Sequence, residues 1–111
     1  MRRMCSPRFE LATQVMYDLK FGPVARGEFE EAYDYFRCKR RSATVSEFED
    51  MVIDGFAMAR RFPEALPLRD VPRSAERYRR VIVWHFVFLY RVDHDAEQLL
   101  IERIAHERTM R

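Results

Sequence analysis

The stretch from Tyr78 to His106, YRRVIVWHFVFLYRVDHDAEQLLIERIAH, limits what this chain can fold into more than any other part of it. It holds three apolar runs rich in β-branched and aromatic residues, parted by a tight junction and a short acidic loop. Tyr78 to Trp84 and Phe86 to Val92 carry apolar residues on both parities, as strands do when both faces are covered. Asp93-His94-Asp95-Ala96 is rich in turn formers, so the run before it should pair with Gln98 to Ala105 as an antiparallel hairpin. Such a meander needs a lid on its apolar face.

The chain upstream supplies one. Val15, Tyr17, Leu19 and Phe21 alternate with polar residues at the period of a strand with one buried face. Gly22-Pro23 ends that strand and seeds a helix from about Val24 to Cys38, since proline suits the first helical position. Phe29, Ala32, Tyr33 and Phe36 form its apolar stripe. Its acids precede the basic run Arg37 to Arg41, in the sense that the helix dipole favours. That run reads as a solvated last turn in preference to a nucleic-acid contact. Thr44 with Glu47 is a capping box opening a second helix, with a stripe of Val45, Phe48, Val52, Phe56 and Ala59 and a stop at Pro63. The short link between the helices predicts an antiparallel hairpin. Phe62 to Leu68 reads as an extended, proline-stiffened crossing back to the sheet, and Asp70 to Arg77 as polar loop.

The expected fold is therefore α+β, in the order strand-helix-helix-strand-strand-strand. The helix hairpin packs on one face of a small sheet with a C-terminal antiparallel meander. Phe29, Tyr33, Phe36, Phe48, Val52 and Phe56 should meet Leu19, Phe21, Ile82 and Phe88 in the core. At 111 residues there is room for one such core and not two. Residues 1–15 carry no pattern and read as a leader, or as the product of a start set too far upstream of Met16; residues 16–111 form the domain.

Composition narrows the function classes. All but two of the 20 basic residues are arginine, which suits carboxylate or phosphate contacts and is equally what codon bias would give. Cys5 and Cys38 lack motif spacing and read as reduced thiols of a cytoplasmic protein. No segment approaches the ~20 apolar residues of a membrane span. His85, His94 and His106 lack metal-ligand spacing, and neither a Gly-rich phosphate loop nor a Ser/His/Asp set stands out. No cofactor and no metal is expected.

Several phrases resemble the RelE/ParE toxin superfamily of bacterial toxin–antitoxin pairs. They are Tyr17-Asp18-Leu19-Lys20-Phe21, the Glu-rich helix with Tyr33-Asp34-Tyr35, the step Arg61-Phe62-Pro63-Glu64, Phe88-Leu89-Tyr90-Arg91-Val92-Asp93 and Arg103-Ile104-Ala105-His106. The resemblance runs from Met16 to about Arg108. It implies a cognate antitoxin with an acidic, amphipathic segment, held in a toxin–antitoxin hetero-oligomer. One branch cleaves messenger RNA on the ribosome; for it Arg79, Arg80 and Arg103 could supply cations and His106 the acid–base group, with Glu102 or Tyr90 as lesser candidates. That branch resembles itself in a lysine-rich active surface, and this chain has no lysine after Lys39. If the last strand is regular to its end, Arg103 and His106 also point to opposite faces. The plainer reading makes Arg103 an ion-pair partner on the sheet surface and His106 a packed strand-end residue.

The other branch, ParE-like, poisons DNA gyrase by protein–protein contact and is not an enzyme. The Phe-Pro-Glu step and the Arg-x-x-His ending are more similar to it. On that reading Arg103, His106, Arg108 and Arg111 form the target-binding surface. A gyrase-directed toxin is the first expectation, with a ribosome-dependent endoribonuclease as the alternative. A toxin-like binding domain without activity is the third reading.

Overall fold

Pro23 opens the first helix where the sequence places it, and the helix runs to Lys39. A computed structural model of the chain describes residues 16–71 and 74–110. The leader reading of residues 1–15, with Val15, Cys5 and Arg111, lies outside the described residues. In chain order the elements are β1 (Asp18–Phe21), α1 (Pro23–Lys39), α2 (Val45–Gly55), α3 (Ala57–Arg61) and β2 (Arg69–Asp70). Then come β3 (Arg77–Val83), β4 (Phe86–Asp93), β5 (Gln98–His106) and a closing 3-10 turn, Glu107–Met110. One five-stranded sheet runs β1-β5-β4-β3-β2. The pairing of β1 with β5 is parallel and the other three are antiparallel. The α+β fold with its helix hairpin on one face is as the sequence predicts.

Thr44 caps α2 as expected, its side chain accepting the Glu47 N–H at 3.2 Å. The second helix does not run unbroken to Pro63. Gly55, a weak helix former, precedes Phe56, which leaves the helical region at φ −93°, ψ 2° and starts α3. The interruption lets the backbone settle on β3: a Cβ on Gly55 would stand 2.7 Å from Val83 Cγ2. Fully buried Phe56 then meets Phe88 and Tyr90 edge to face, at 5.8 and 5.4 Å between ring centroids.

Four details correct the sequence reading. Arg69 and Asp70 form a short edge strand against Tyr78 and Arg77, where loop was expected. The crossing from Phe62 is not extended throughout, because Ala65 N–H closes a turn on Phe62 O at 3.0 Å. Val45 is exposed at the start of α2. Ile82 is not in the core: it is 52% exposed, while Val81 and Val83, one residue to either side, face the helices. Alternate residues of a strand take opposite faces, and β3 is apolar on both, so its register was ambiguous.

Two joints of the meander use left-handed backbone. Val83 pairs with Phe86, so Trp84-His85 is the whole turn between β3 and β4, with Trp84 at φ 57°. A large non-glycine residue there is strained. Trp84 gains compensating packing from Phe36 at 5.1 Å and Tyr35 at 5.8 Å. Glu97, at φ 55°, closes the β4–β5 turn, where Asp93 accepts the Ala96 N–H at 3.1 Å.

Candidate target-binding surface

The last strand is interrupted just before the residues of interest. Tyr90 pairs with Ile101 and Leu89 with Arg103, so Glu102 is an extra residue, a bulge in β5. The bulge resets the alternation, which is why Leu99, Ile101 and Ile104 all join the helix-side core. Downstream of it the strand is regular through His106.

Beyond the last β1–β5 pair, Phe21 with Ile101, β5 has an open edge. Glu28 of α1 covers it. Its carboxylate accepts the Ile104 N–H at 2.7 Å and two contacts from Arg103, from Nε and Nη2, each at 3.1 Å. The Glu28 hydrogen bond, then its charge, push the Arg103 pKa further up. Arg103 is thus a fixed cation on a polar tether.

His106 sits in a different environment. Its ring stacks on His85 at 5.9 Å with planes 12° apart, and meets Tyr35 and Phe86 edge-on at 5.4 and 5.5 Å. Nδ1 accepts the Arg108 N–H at 3.2 Å, which leaves Nε2 to carry the proton of the neutral ring. The carbonyl of His106 accepts Thr109 Oγ1 at 2.8 Å, so the closing turn is tied back to the ring. Lys39 lies over the Tyr35 ring at 5.4 Å and Arg40 over Phe36 at 5.3 Å. Arg108 is exposed on that turn.

The four residues a nuclease would need are dispersed. Arg79 lies on the helix face of β3 and Arg80 on the other, by alternation from the buried Val81. Arg79 pairs with Tyr90, whereas His106 pairs with Phe86, a separation of ~13 Å along β4 at strand rise. Arg79 donates to the Leu66 carbonyl of the crossing. Arg103 is engaged with Glu28, and His106 with aromatic rings.

Two polar networks join segments that no sequence motif links. Tyr17 Oη contacts His94 Nδ1 at 2.8 Å, and His94 Nε2 contacts Glu64 at 2.9 Å, joining three distant segments. Arg91 binds Glu102 at 2.8 Å and Glu76 at 2.6 Å, while Tyr78 donates to Glu102 at 3.1 Å. Residues 30 to 77 positions apart meet in the first network and 11 to 24 apart in the second, which no local pattern encodes. A groove of about 510 Å³ runs between edge strand β1 and the hairpin, with Leu19, Phe21, Phe29, Val52 and Ile53 on its walls and Lys20, Arg26, Glu30 and Glu49 beside them. Among the described residues no helix is long and apolar enough to cross a membrane.

A family model described as ParE toxin of type II toxin-antitoxin system, parDE, matches residues 19–111. No curated protein matches the chain in sequence. Among solved structures, the toxin–antitoxin complex RelBE2 of Mycobacterium tuberculosis contains a similar chain. It is 18% identical with a TM-score of 0.54, and the match covers 83% of this chain and 92% of that one. At that identity the likeness concerns the fold.

Proposed function

This chain belongs to the ParE toxin family of type II toxin–antitoxin systems, and on that premise we propose that it arrests growth by binding DNA gyrase through protein–protein contact. The observation that carries this reading is the construction of the β5 terminus. Arg103 is held by Glu28, and the His106 ring is stacked with its Nδ1 bonded to the Arg108 amide. These are fixed contact groups, Arg103 engaged by Glu28 and His106 by aromatic rings and a backbone amide. Arg103, His106, Arg108 and Arg111 are the proposed gyrase-facing set.

A cognate antitoxin restrains the toxin in a hetero-oligomer. The groove beside β1 suits it: apolar walls for one face of an amphipathic segment, with Lys20 and Arg26 to meet its acids and Glu30 and Glu49 to meet any bases. The solved RelBE2 structure is itself a toxin–antitoxin complex.

The deciding experiment puts the purified chain against gyrase supercoiling and against messenger RNA on translating ribosomes. Supercoiling should be inhibited and the message left intact. Charge reversal at Arg103 should weaken inhibition more than His106→Gln, with thermal melting as a control because the reversal sets two acids together at Glu28. A nuclease that passes a proton at His106 would instead lose ~10²–10⁴-fold on His106→Gln. Codon-position cleavage of the message, abolished by that change in a folded protein, overturns the gyrase reading. Growth unaffected by the lone soluble chain would point to a binding domain without activity.

A further inference from the structure

Away from His106, where β3 and β4 pass under the crossing from α3, lies a separate cavity of about 190 Å³. Tyr90, Arg77, Arg79, Arg91, Glu64 and His94 line it. Tyr90 is fully buried, yet among the described residues its hydroxyl has no hydrogen-bond partner. A buried hydroxyl left unpaired is costly, and native folds rarely keep one without a reason.

Arg79 stands directly across the ladder from Tyr90. It is half-buried and spends one N–H on the Leu66 carbonyl. Among the described residues it has no carboxylate within ion-pair distance. The acids nearby are engaged elsewhere: Glu64 with His94 at 2.9 Å, Asp70 with Arg77 at 3.3 Å, Glu76 and Glu102 with Arg91. A phenol and a guanidinium, both donors, therefore line one small cavity, and the carboxylate on its wall, Glu64, is hydrogen-bonded to His94 while still feeling the Arg79 charge. Burial also raises the Tyr90 pKa, so the phenol stays a donor across the physiological range.

We propose that this cavity binds a small oxyanion, phosphate or the terminal phosphate of a larger phosphomonoester, with Tyr90 Oη and the Arg79 guanidinium donating to its oxygens. Arginine's planar fork matches two such oxygens at once. The cavity is below the size of pockets that enclose whole small molecules, so only the phosphate group enters and any remainder stays outside. Glu64 opposes the anion, and its carboxylate is directed to His94 Nε2. The site is independent of the gyrase reading, since it shares no residue with the β5 terminus.

Thermal melting of the full chain tests it, in inorganic phosphate against chloride at matched ionic strength. Phosphate should give a saturable rise in Tm, on the order of 5–10 °C at a tenfold excess over Kd. Tyr90→Phe should melt at the same temperature or higher in chloride and lose the phosphate response; Arg79→Gln should lose it too. Arg41→Gln, at an exposed position, should retain it. Phenyl phosphate separates the sources: a response at least equal to that of inorganic phosphate assigns a phosphomonoester, a weaker one the free ion. A rise no larger than chloride gives, or one that survives Tyr90→Phe, overturns the proposal.

Discussion

On the face of the sheet covered by α1, α2 and α3, Phe36, Phe48, Phe56, Phe88, Tyr90, Leu99 and Ile101 are all fully buried. On the other face a smaller cluster, Tyr78, Val87 and Leu89 with Val71 against it, lies beside the ion-paired side chains of Arg91, Glu102 and Glu76. The first face is held by burial of aromatic surface, which salt and pH barely touch. The second combines a few apolar contacts with charged hydrogen bonds that respond to both. Stability should therefore reside on the helix face, leaving the opposite face and the β5 terminus free to carry charge.

The largest effect expected from this contrast is at Phe48. Its ring lies 5.0 Å from Phe36 and 5.2 Å from Phe29 between centroids, and it is fully buried. Phe48→Ala should cost on the order of 3–5 kcal/mol in urea unfolding, enough to threaten a domain of this size. Val87→Ala on the opposite face removes two methyl groups and should cost about 2 kcal/mol or less. Equal losses at the two sites would break the contrast between the faces.

A smaller effect sharpens the account of how the helices seat. Gly55→Ala would gain roughly 1 kcal/mol of helix propensity at an ordinary helical site. Here the new methyl would press on Val83 Cγ2 at 2.7 Å. Val83 is β-branched and rotamer-poor, so the neighbour cannot swing away. Overpacking of this kind costs ~1–3 kcal/mol, and a net loss should result. Val83→Ala in the same chain should restore part of it. Two losses that simply add would mean the α2–α3 junction does not rest on β3.

These two sites also mark what was legible in the sequence. The meander, Pro23 at the start of α1 and the Thr44 cap are encoded within a few residues, and each appears where expected. Ile82 was misplaced because β3 is apolar on both parities, so composition could not choose a register. The break at Phe56 depends on Val83, far along the chain. Strand β2 is two charged residues that carry no strand pattern and exist by pairing with Tyr78 and Arg77. At the candidate site, the opposed directions of Arg103 and His106 follow from strand period alone. The Glu28 tether, 75 and 76 residues away, and the His85 stack, set by hairpin register, do not.

The smallest effect belongs to the open face, at Tyr78. Its hydroxyl donates to Glu102, which also holds Arg91, and the exposed pairs around it are worth about 1 kcal/mol or less each. Tyr78→Phe should accordingly cost about 1 kcal/mol near neutral pH. Burial first, then the Glu102 hydrogen bond and charge, raise the Tyr78 pKa above its ordinary 10.0. An acid whose folded pKa is raised gives stability that is full below the unfolded value and is lost as pH climbs through the folded one. Wild-type stability should therefore decline above about pH 10. Tyr78→Phe should make that decline shallower without abolishing it, because buried Tyr90 is shifted in the same direction. Urea midpoints from about pH 8 to about pH 11 measure both slopes. Matching slopes in the two proteins would mean that the open face does not hold the phenol as its contacts indicate, and the difference between the faces would then rest on burial alone.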